Sequence, residues 1–556
     1  MSTKNLRQIL LILLLVVLTI PTFWIMLKFG IFTMHDFHIF RAFEFHKCIL
    51  DFQIPCRWAP DSAFEYGEPL FNFYGQLSYV VSEPFHLLGL SVINSVKAAF
   101  IFSLAGSAIT MFFLAKQLWG SNLAALISSV LYLYAPYRAV DVWVRGALPE
   151  SLAFVLYPVI FYFLINFFET EKKRDLLIFS LSVAALIVLH NLSFLMFLLP
   201  LVVWTIYLFF KTKKFYLLKN FVVGGVLIFL LAAFYLLPVV TESKLVNLGK
   251  TVEGYYDFRN HFANLAQLLI SQKWGYGGST PGFEDGLSFA VGQVHWAISL
   301  LLIVLVLNFG KIRENFNILI LIGIGWLALF LIHLRSAFIW EIVTPLQFLQ
   351  FPWRFLAIAV FAFPLAAGSV ILFLKNRIGQ ILVTTAIIFV AIFTNIGNFR
   401  EDIWRPISDE TQFSGGLWEE QIASAVNDFW PVYGQKVPTE KPDERIIFVE
   451  GRGEVLEFIK TSNKVEAVVN AETEAKVKLA SVYFPGWVGF VDGKKVHLEP
   501  SGEFGLSTIT IPSGEHQILL KFENTLSRTL GNYLSLGGLI LLVVFWFKAG
   551  NVAKNN

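Results

Sequence analysis

The sequence has little charge for its length. Only 15% of its 556 residues are Asp, Glu, Lys or Arg, whereas 56% are apolar, and Phe alone occurs 57 times. A soluble domain normally carries about a quarter charged residues, so the composition excludes an ordinary soluble enzyme. The apolar residues form long blocks, which is typical of a chain that crosses a membrane many times. The net charge of +3 gives no argument for a nucleic-acid partner.

Cysteine and nucleotide-binding motifs are also scarce. The two cysteines, Cys48 and Cys56, lack any spacing typical of a metal site. They can form a disulfide in an oxidising compartment, or remain as buried free thiols. The loops that we expect to face the cytoplasm contain no Walker motif and no G-x-G-x-x-G element, which disfavours a nucleotide-driven pump.

Apolar blocks of about 17–25 residues predict about twelve transmembrane helices. The first block is longer than the apolar core of a cleaved signal peptide, so we interpret it as an uncleaved span. The predicted spans are Ile9–Leu27, Val96–Leu114, Ala124–Pro136, Leu152–Phe168, Leu176–Leu189, Ser193–Phe210, Phe221–Val239, Val294–Leu307, Ile318–Ile332, Phe355–Leu374, Ile381–Asn395 and Leu530–Phe547.

The basic residues predict the orientation of these spans. Clusters such as Lys172-Lys173-Arg174 and Lys213-Lys214 all fall on one side if the spans alternate. Because short basic loops stay in the cytoplasm, both termini are predicted to be cytoplasmic in a multi-pass plasma-membrane protein. The opposite, extracytoplasmic side then receives the loop after the first span and the long segment after Asn398.

The segment from residue 398 to residue 527 has a different composition. Its apolar blocks stop, and several stretches alternate or are rich in β-branched residues. Asp492-Gly493 is a strong hairpin signal, because glycine accepts the positive φ that a type I′ turn requires. We therefore predict a transmembrane domain over residues 1–397, an extracytoplasmic β-sandwich over 398–527, and a final helix with a cytoplasmic tail over 528–556.

A polar cluster follows the first span. A helix that begins at Asp36 would place His38, Arg41 and Glu44 on one side and apolar residues on the other, and it could lie along the membrane interface. Ionisable groups at a membrane boundary are functional candidates. The alternative is that Asp36 only caps the helix and that Arg41 lies among the lipid headgroups.

Two groups of motifs resemble known families. The motifs Tyr483-Phe484-Pro485-Gly486-Trp487, Val491-Asp492-Gly493-Lys494-Lys495 and Pro512-Ser513-Gly514-Glu515-His516 resemble the C-terminal module of YfhO-like bacterial membrane proteins. His35-Asp36-Phe37-His38, Ala135-Pro136-Tyr137-Arg138 and Arg145-Gly146 resemble the membrane proteins called 6-pyruvoyl-tetrahydropterin synthase related. Both groups are similar to GT-C glycosyltransferases, which use lipid-phosphate-linked sugars and keep a catalytic acid in the first outer loop.

This resemblance implies roles for the ionisable residues of the outer loops. Asp36 would be the catalytic base that accepts the proton of an acceptor hydroxyl, with His38 and Arg41 beside it in the substrate site. Arg138, Arg145 and Arg354 are candidates for the donor phosphate, because a guanidinium binds phosphate oxygens in a bidentate manner. The alternative for each arginine is an interfacial anchor or a partner for a nearby acid.

Three further residues are weaker candidates. Asp141, and after it Glu150, could supply a second carboxylate, although Asp141 could equally pair with a neighbouring arginine at helical spacing. His190, at the turn between the fifth and sixth spans, is a candidate catalytic group or a structural histidine. His35 and His38 could bind a divalent cation, but no dedicated metal motif is present and no cofactor is certain.

The resemblance, together with the polar residues of the outer loops, therefore implies a membrane glycosyltransferase. It would move a sugar from a polyprenyl-phosphate donor to a glycan, lipid or cell-wall acceptor on the outer face, in contact with membrane lipids. The alternatives are a transporter or flippase of a lipid-linked substrate, which would need ionisable residues deep within several spans, and a non-catalytic membrane-anchored glycan-binding protein.

Overall fold

The structure is a computed structural model that describes residues 3–32, 36–282, 284–310, 312–423 and 429–552. Within these ranges the chain forms twenty α-helices and eleven β-strands. The helices are α1 (Thr3–Phe23), α2 (Asp36–Leu50), α3 (Leu70–Phe73), α4 (Leu77–Leu87), α5 (Val92–Trp119), α6 (Asn122–Leu133), α7 (Pro136–Ala139), α8 (Leu148–Thr170), α9 (Lys173–Leu189), α10 (Asn191–Thr212), α11 (Leu218–Glu242), α12 (Leu265–Leu269), α13 (Gln293–Phe309), α14 (Phe316–Ile332), α15 (Ala337–Ile342), α16 (Leu356–Ala367), α17 (Arg377–Asn395), α18 (Asp409–Gln412), α19 (Gly415–Ala423) and α20 (Leu526–Val552). The strands are β1 (Ile31–Phe32), β2 (Trp404–Arg405), β3 (Ile446–Glu450), β4 (Gly453–Lys460), β5 (Lys464–Ala471), β6 (Ala475–Val482), β7 (Trp487–Val491), β8 (Lys494–Val496), β9 (Glu499–Ser501), β10 (Leu506–Ile511) and β11 (Gly514–Phe522).

The chain is a predominantly helical membrane protein. Among the described residues, eight helices are long and apolar enough to cross a bilayer, and a ninth arises if α6 and Pro136–Val144, which meet at a 48° bend, form one span. All twelve predicted spans fall on helices. However, α9, α13 and α14 have 17 residues each, which is about 25 Å of helix against a hydrocarbon core of about 30 Å. The predicted number of twelve is therefore not confirmed.

The long helices differ in how they meet their surroundings. The helix α16 is buried almost throughout, whereas α17 and α20 leave most of their side chains exposed. Those exposed side chains are mainly apolar, as expected of helices that face lipid.

Local signals set the ends of the helix α5. The Ser91 side chain caps its start by accepting a hydrogen bond from the backbone N of Asn94 at 3.2 Å, and Gly120 ends it with φ +65°.

A β-sheet region lies near the C-terminus. Strands β3, β6, β10 and β9 form one sheet, and β4, β5, β11, β7 and β8 form the other, with antiparallel pairing in both. Buried side chains of both sheets join one hydrophobic cluster, which also contains Trp58 and Tyr66 from the segment after α2. The predicted hairpin is present, because Asp492 and Gly493 have φ +49° and +75° and connect β7 to β8.

The helix α2 begins at the predicted residue but does not lie exposed along an interface. His38, Arg41 and Glu44 are all buried, because α4, α5 and α19 pack against the helix. The expectation of an exposed amphipathic helix, and the alternative that Arg41 lies among headgroups, are corrected by this packing. Cys48 at the end of α2 forms a disulfide with Cys56, which resolves the pairing that the sequence left open.

Glu44 forms part of a buried charge cluster between α2 and the loop that follows it. Its Oε1 lies 3.5 Å from Nζ of Lys47, and its Oε2 accepts a hydrogen bond from the backbone N of Asp61 at 3.0 Å. The Asp61 carboxylate pairs with the same ammonium group. Two carboxylates thus share one cation, and of the three groups only the Glu44 carboxylate is fully buried. Burial and the Asp61 charge raise the pKa of Glu44 to about 8.

This raised pKa predicts a pH-dependent stability. Between the usual pKa of 4.5 and the folded value of about 8, the folded state binds more protons than the unfolded state, so stability falls as pH rises. Glu44→Gln should therefore raise the melting temperature at pH 8 more than at pH 5. Melting curves of the purified protein at both values test this, with the exposed Glu454→Gln as control. An equal change in melting temperature on Glu44→Gln substitution at both pH values would contradict the raised pKa of Glu44.

Candidate functional site

A cavity of about 770 Å³ lies where α2, the start of α8, the turn between α9 and α10, and the segment before α16 meet. Six residues that the sequence predicted as functional line it together. They are His38, Arg41, Arg145, Glu150, His190 and Arg354. These residues come from four separate parts of the chain, so the fold places the polar ends of several helices around one space.

Arg41 provides a buried cationic group at this cavity. Its side chain is 4% exposed, and its guanidinium carbon lies 3.4 Å from the ring centroid of Phe37 and 3.8 Å from that of Tyr74. No described residue accepts a hydrogen bond from Nε or Nη1 of Arg41. A buried guanidinium with donors that lack acceptors is costly unless an anion binds there. Arg41 is therefore suited to bind an anionic ligand.

Arg145 is a second cation at the cavity, and it is paired with acids. Its Nη1 lies 2.8 Å from Oε2 of Glu150 and 3.0 Å from Oδ1 of Asp141. The hydroxyl of Tyr137 donates to Oε1 of Glu150 at 2.6 Å, and the Arg145 guanidinium stacks over Trp353 at 4.8 Å. These contacts hold both Arg145 and the Glu150 carboxylate in fixed positions at the cavity wall.

Asp141 and Arg138 lie behind this wall. Both side chains are fully buried, neither lines the cavity, and Asp141 connects Arg138, at 3.7 Å, with Arg145. The cause is local: the backbone N of Arg145 bonds to the carbonyl O of Val140, which makes Val140–Val144 one π-helical turn. The order expected from the sequence is corrected here, because of these two carboxylates only Glu150 lines the cavity, and Arg138 does not line it either.

Arg354 supplies a third guanidinium. It lies in the short 3₁₀ helix that begins at Pro352, and its Nη1 donates to the carbonyl O of Leu349 at 3.0 Å. Within the described chain, its buried Nε has no hydrogen-bond acceptor. Among the described residues, three arginines and one carboxylate, that of Glu150, line the cavity. The described lining favours a negatively charged ligand.

His38 is held by two partners. The backbone N of Leu148 donates to its Nε2 at 3.3 Å, so the ring proton is on Nδ1, which donates to the Tyr79 hydroxyl at 3.0 Å. His38 thus lines the cavity with both ring nitrogens already engaged. Asp36 starts the same helix two residues earlier, but its side chain lies outside the described residues, as does all of His35.

His190 separates α9 from α10. Its backbone is extended, with φ −158° and ψ 96°, and its Nδ1 lies 2.6 Å from the hydroxyl of Ser193. The residue lines the cavity. The tight turn predicted at this point therefore serves to direct the imidazole towards the same space as Glu150 and the arginines.

Gly75 is a cavity residue that sequence reasoning missed. A Cβ at this position would lie 2.5 Å from the carbonyl oxygens of both Val188 and Leu189, directly before His190. Gly75→Ala should therefore push the end of α9 away and cost about 1–3 kcal/mol of stability. Melting curves test this, with Gly323→Ala as control, because a Cβ on Gly323 meets nothing within 4 Å. Equal melting temperatures for the two variants would contradict this prediction.

Apolar side chains also line the cavity. Leu192, Val239, Val240, Leu248 and Phe348 line it, and Val240 is 72% exposed, at the end of the membrane helix α11. Sequence reasoning did not single out these residues, because an apolar side chain at a helix end carries no signal of its own. The described cavity lining therefore combines cationic and apolar side chains.

A divalent cation does not fit the described part of the site. No three His, Cys, Asp or Glu side chains in the described ranges come together as a metal-binding group. Asp141 and Glu150 already pair with Arg145, and both nitrogens of His38 are engaged.

Comparison with known proteins identifies the family. Residues 71–400 match the model of the 6-pyruvoyl-tetrahydropterin synthase related domain, described as a membrane protein. The chain belongs to this family, as its motifs indicated. The matched region contains Arg145, Glu150, His190 and Arg354. No curated protein matches the sequence.

Solved structures of other proteins are also similar to this chain. The arabinofuranosyltransferase AftD from Mycobacteria is similar with a TM-score of 0.46 and 13% identity over 76% of this chain. A mutant of the same protein gives a TM-score of 0.43 and 14% identity over 76% of this chain. This chain spans 28% and 29% of the length of those two chains.

Proposed function

We propose that the protein is a membrane glycosyltransferase that takes its sugar from a polyprenyl-phosphate carrier. The observation that carries the proposal is the guanidinium of Arg41. It is buried between two aromatic rings and lines, with Arg145 and Arg354, a cavity that apolar side chains also line. A lipid phosphate combines an anion with an apolar chain, and the mixed cationic and apolar lining suits both parts.

Asp36 is the proposed base. It begins α2, the helix that also brings His38 and Arg41 to the cavity. In the proposed reaction the acceptor oxygen forms a bond to the sugar C1 while the bond from C1 to the phosphate oxygen breaks. The proton of the acceptor hydroxyl passes to the Asp36 carboxylate, and the polyprenyl phosphate leaves as an anion stabilised by the arginines. Glu150, fixed by Arg145, would orient the acceptor.

The membrane arrangement forms part of the proposal. The eight long helices together with α6, α9, α13 and α14 make twelve spans in a GT-C-like frame, with both termini in the cytoplasm of a plasma-membrane protein. The basic residues of the short loops support this orientation. The β-sandwich over residues 398–527, the cavity and the acceptor, which is a glycan, lipid or cell-wall polymer, would then lie on the outer face.

A transfer assay tests the function. Purified protein in lipid nanodiscs is incubated with radiolabelled polyprenyl-phosphate sugars and a cell-envelope extract as acceptor. We expect label to move into the acceptor with release of polyprenyl phosphate. Movement of intact lipid-linked sugar across proteoliposomes without release of polyprenyl phosphate would instead support a flippase and overturn the proposal.

A further inference from the structure

The segment between α15 and α16 contains a strained turn at the edge of the cavity. Gln350 has φ +64° and ψ −48°, and the backbone N of Phe351 donates to the carbonyl O of Leu349 at 2.6 Å. These values define a γ-turn with positive φ at its central residue, which is rare and strained. Glycine adopts positive φ readily, whereas glutamine does so at a cost in free energy.

The neighbouring residues hold this turn in place. The 3₁₀ helix Thr344–Leu349 ends directly before it, and Phe351 is kept extended, with φ −119° and ψ 105°, because the next residue is Pro352. The carbonyl O of Leu349 also accepts a hydrogen bond from Nη1 of Arg354 at 3.0 Å. The turn and the cationic group of Arg354 are therefore built as one unit.

The residue at the strained position borders the cavity. Gln350 lines it together with Arg354, Arg41 and the two rings that stack on Arg41. Strained backbone in a folded protein is concentrated at functional sites, where the surrounding structure maintains it. A glutamine at a position that suits glycine, on a cavity wall, indicates that its carboxamide is needed there.

We infer that Gln350 contacts the substrate and binds the sugar of the lipid-linked donor, an inference that rests on the proposed function. A carboxamide has two N–H donors and one carbonyl acceptor without net charge, which suits sugar hydroxyls that both donate and accept. A guanidinium suits the phosphate. The γ-turn thus presents a sugar-binding group next to a phosphate-binding group, Arg354, and the pair distinguishes a sugar-bearing carrier from the bare carrier.

Two substitutions of Gln350 distinguish the effect of its backbone strain from that of sugar binding by its side chain. Gln350→Gly relieves the backbone strain and removes the carboxamide, so it should raise the melting temperature of the ligand-free protein. Gln350→Ala removes the carboxamide but keeps the backbone strain, so this variant should not have a higher melting temperature than the wild type. Both variants should bind undecaprenyl phosphate as the wild type does, and should bind an undecaprenyl-phosphate sugar about tenfold more weakly, as expected for the loss of one or two hydrogen bonds.

The probes are undecaprenyl phosphate alone and the same carrier bearing glucose, mannose or arabinose, with binding measured in nanodiscs. Gln347→Ala is the matched control, since Gln347 does not line the cavity and its side chain donates to the backbone of Trp340. It should leave both affinities unchanged. If Gln350 had only a structural role, Gln350→Gly would not combine a higher melting temperature with a selective loss of affinity for the sugar-bearing carrier.

The outcomes distinguish this inference from the proposed function. If the wild type does not bind undecaprenyl phosphate, the proposed function fails and the inference fails with it. If the wild type binds undecaprenyl phosphate, but none of the sugars increases affinity, or the Gln350 variants bind the sugar-bearing carriers as tightly as the wild type, only the assignment of Gln350 is overturned.

Discussion

Arg41→Gln is expected to lower kcat/KM for sugar transfer by about 100- to 1,000-fold, the usual effect of removing one donor that stabilises developing charge. The side chain is stacked between Phe37 and Tyr74, and its Nε and Nη1 have no acceptor among the described residues. Of the steps that contribute to kcat/KM, binding of the polyprenyl phosphate should be weakened most. Removing a buried cation that has no carboxylate partner among the described residues should not lower the melting temperature.

Two controls define this result. Arg41→Lys keeps the charge but cannot reproduce the planar stacking between two rings, so it should restore only part of the activity. Arg452→Gln changes an exposed arginine of the β region and should have no effect. Activity of Arg41→Gln equal to that of the wild type, or a loss that follows the melting temperature, would remove Arg41 from the anion site.

The polar residues of the site could be predicted from the sequence because they are exceptional in their surroundings. Charged residues are rare in this chain, and those at the ends of apolar blocks need water, partners or ligands. This property and the family resemblance together single out Arg145, Glu150, His190 and Arg354, although they also single out Arg138 and Asp141, which do not line the cavity. The β region and its Asp492-Gly493 turn are predictable as well, because alternating β-branched stretches and a hairpin turn are local signals.

Other features depend on the backbone and could not be predicted in this way. The sequence favours Asp141 over Glu150, but the π-helical turn rotates Asp141 behind Arg145. Gly75 matters because another helix end lies 2.5 Å from its missing Cβ, and no pattern in one sequence reports that contact. The γ-turn at Gln350 is likewise invisible until φ and ψ are known. The burial of α2 by α19 involves residues that are far apart in the chain.

Asp36→Asn is expected to lower kcat by about 100- to 10,000-fold, the range for loss of a general base. Asparagine has nearly the same size and cannot accept the proton of the acceptor hydroxyl. Binding of the lipid-linked donor should be unchanged, because the arginines that contact the phosphate remain. The melting temperature should fall only slightly, since a carboxylate in the first turn of a helix contributes about 0.3–1 kcal/mol through the helix dipole.

The pH–rate profile provides the decisive measurement. In the wild type, kcat should fall at acidic pH as the base is protonated, and this acidic limb should be absent from the residual activity of Asp36→Asn. Asp51→Asn is the matched control on the same segment, because Asp51 accepts a hydrogen bond from the backbone N of Ser462 at 2.6 Å. That variant should lose stability and keep the acidic limb. Full activity of Asp36→Asn, with the limb retained, would require a different base at this cavity, and Glu150 is the described carboxylate that lines it.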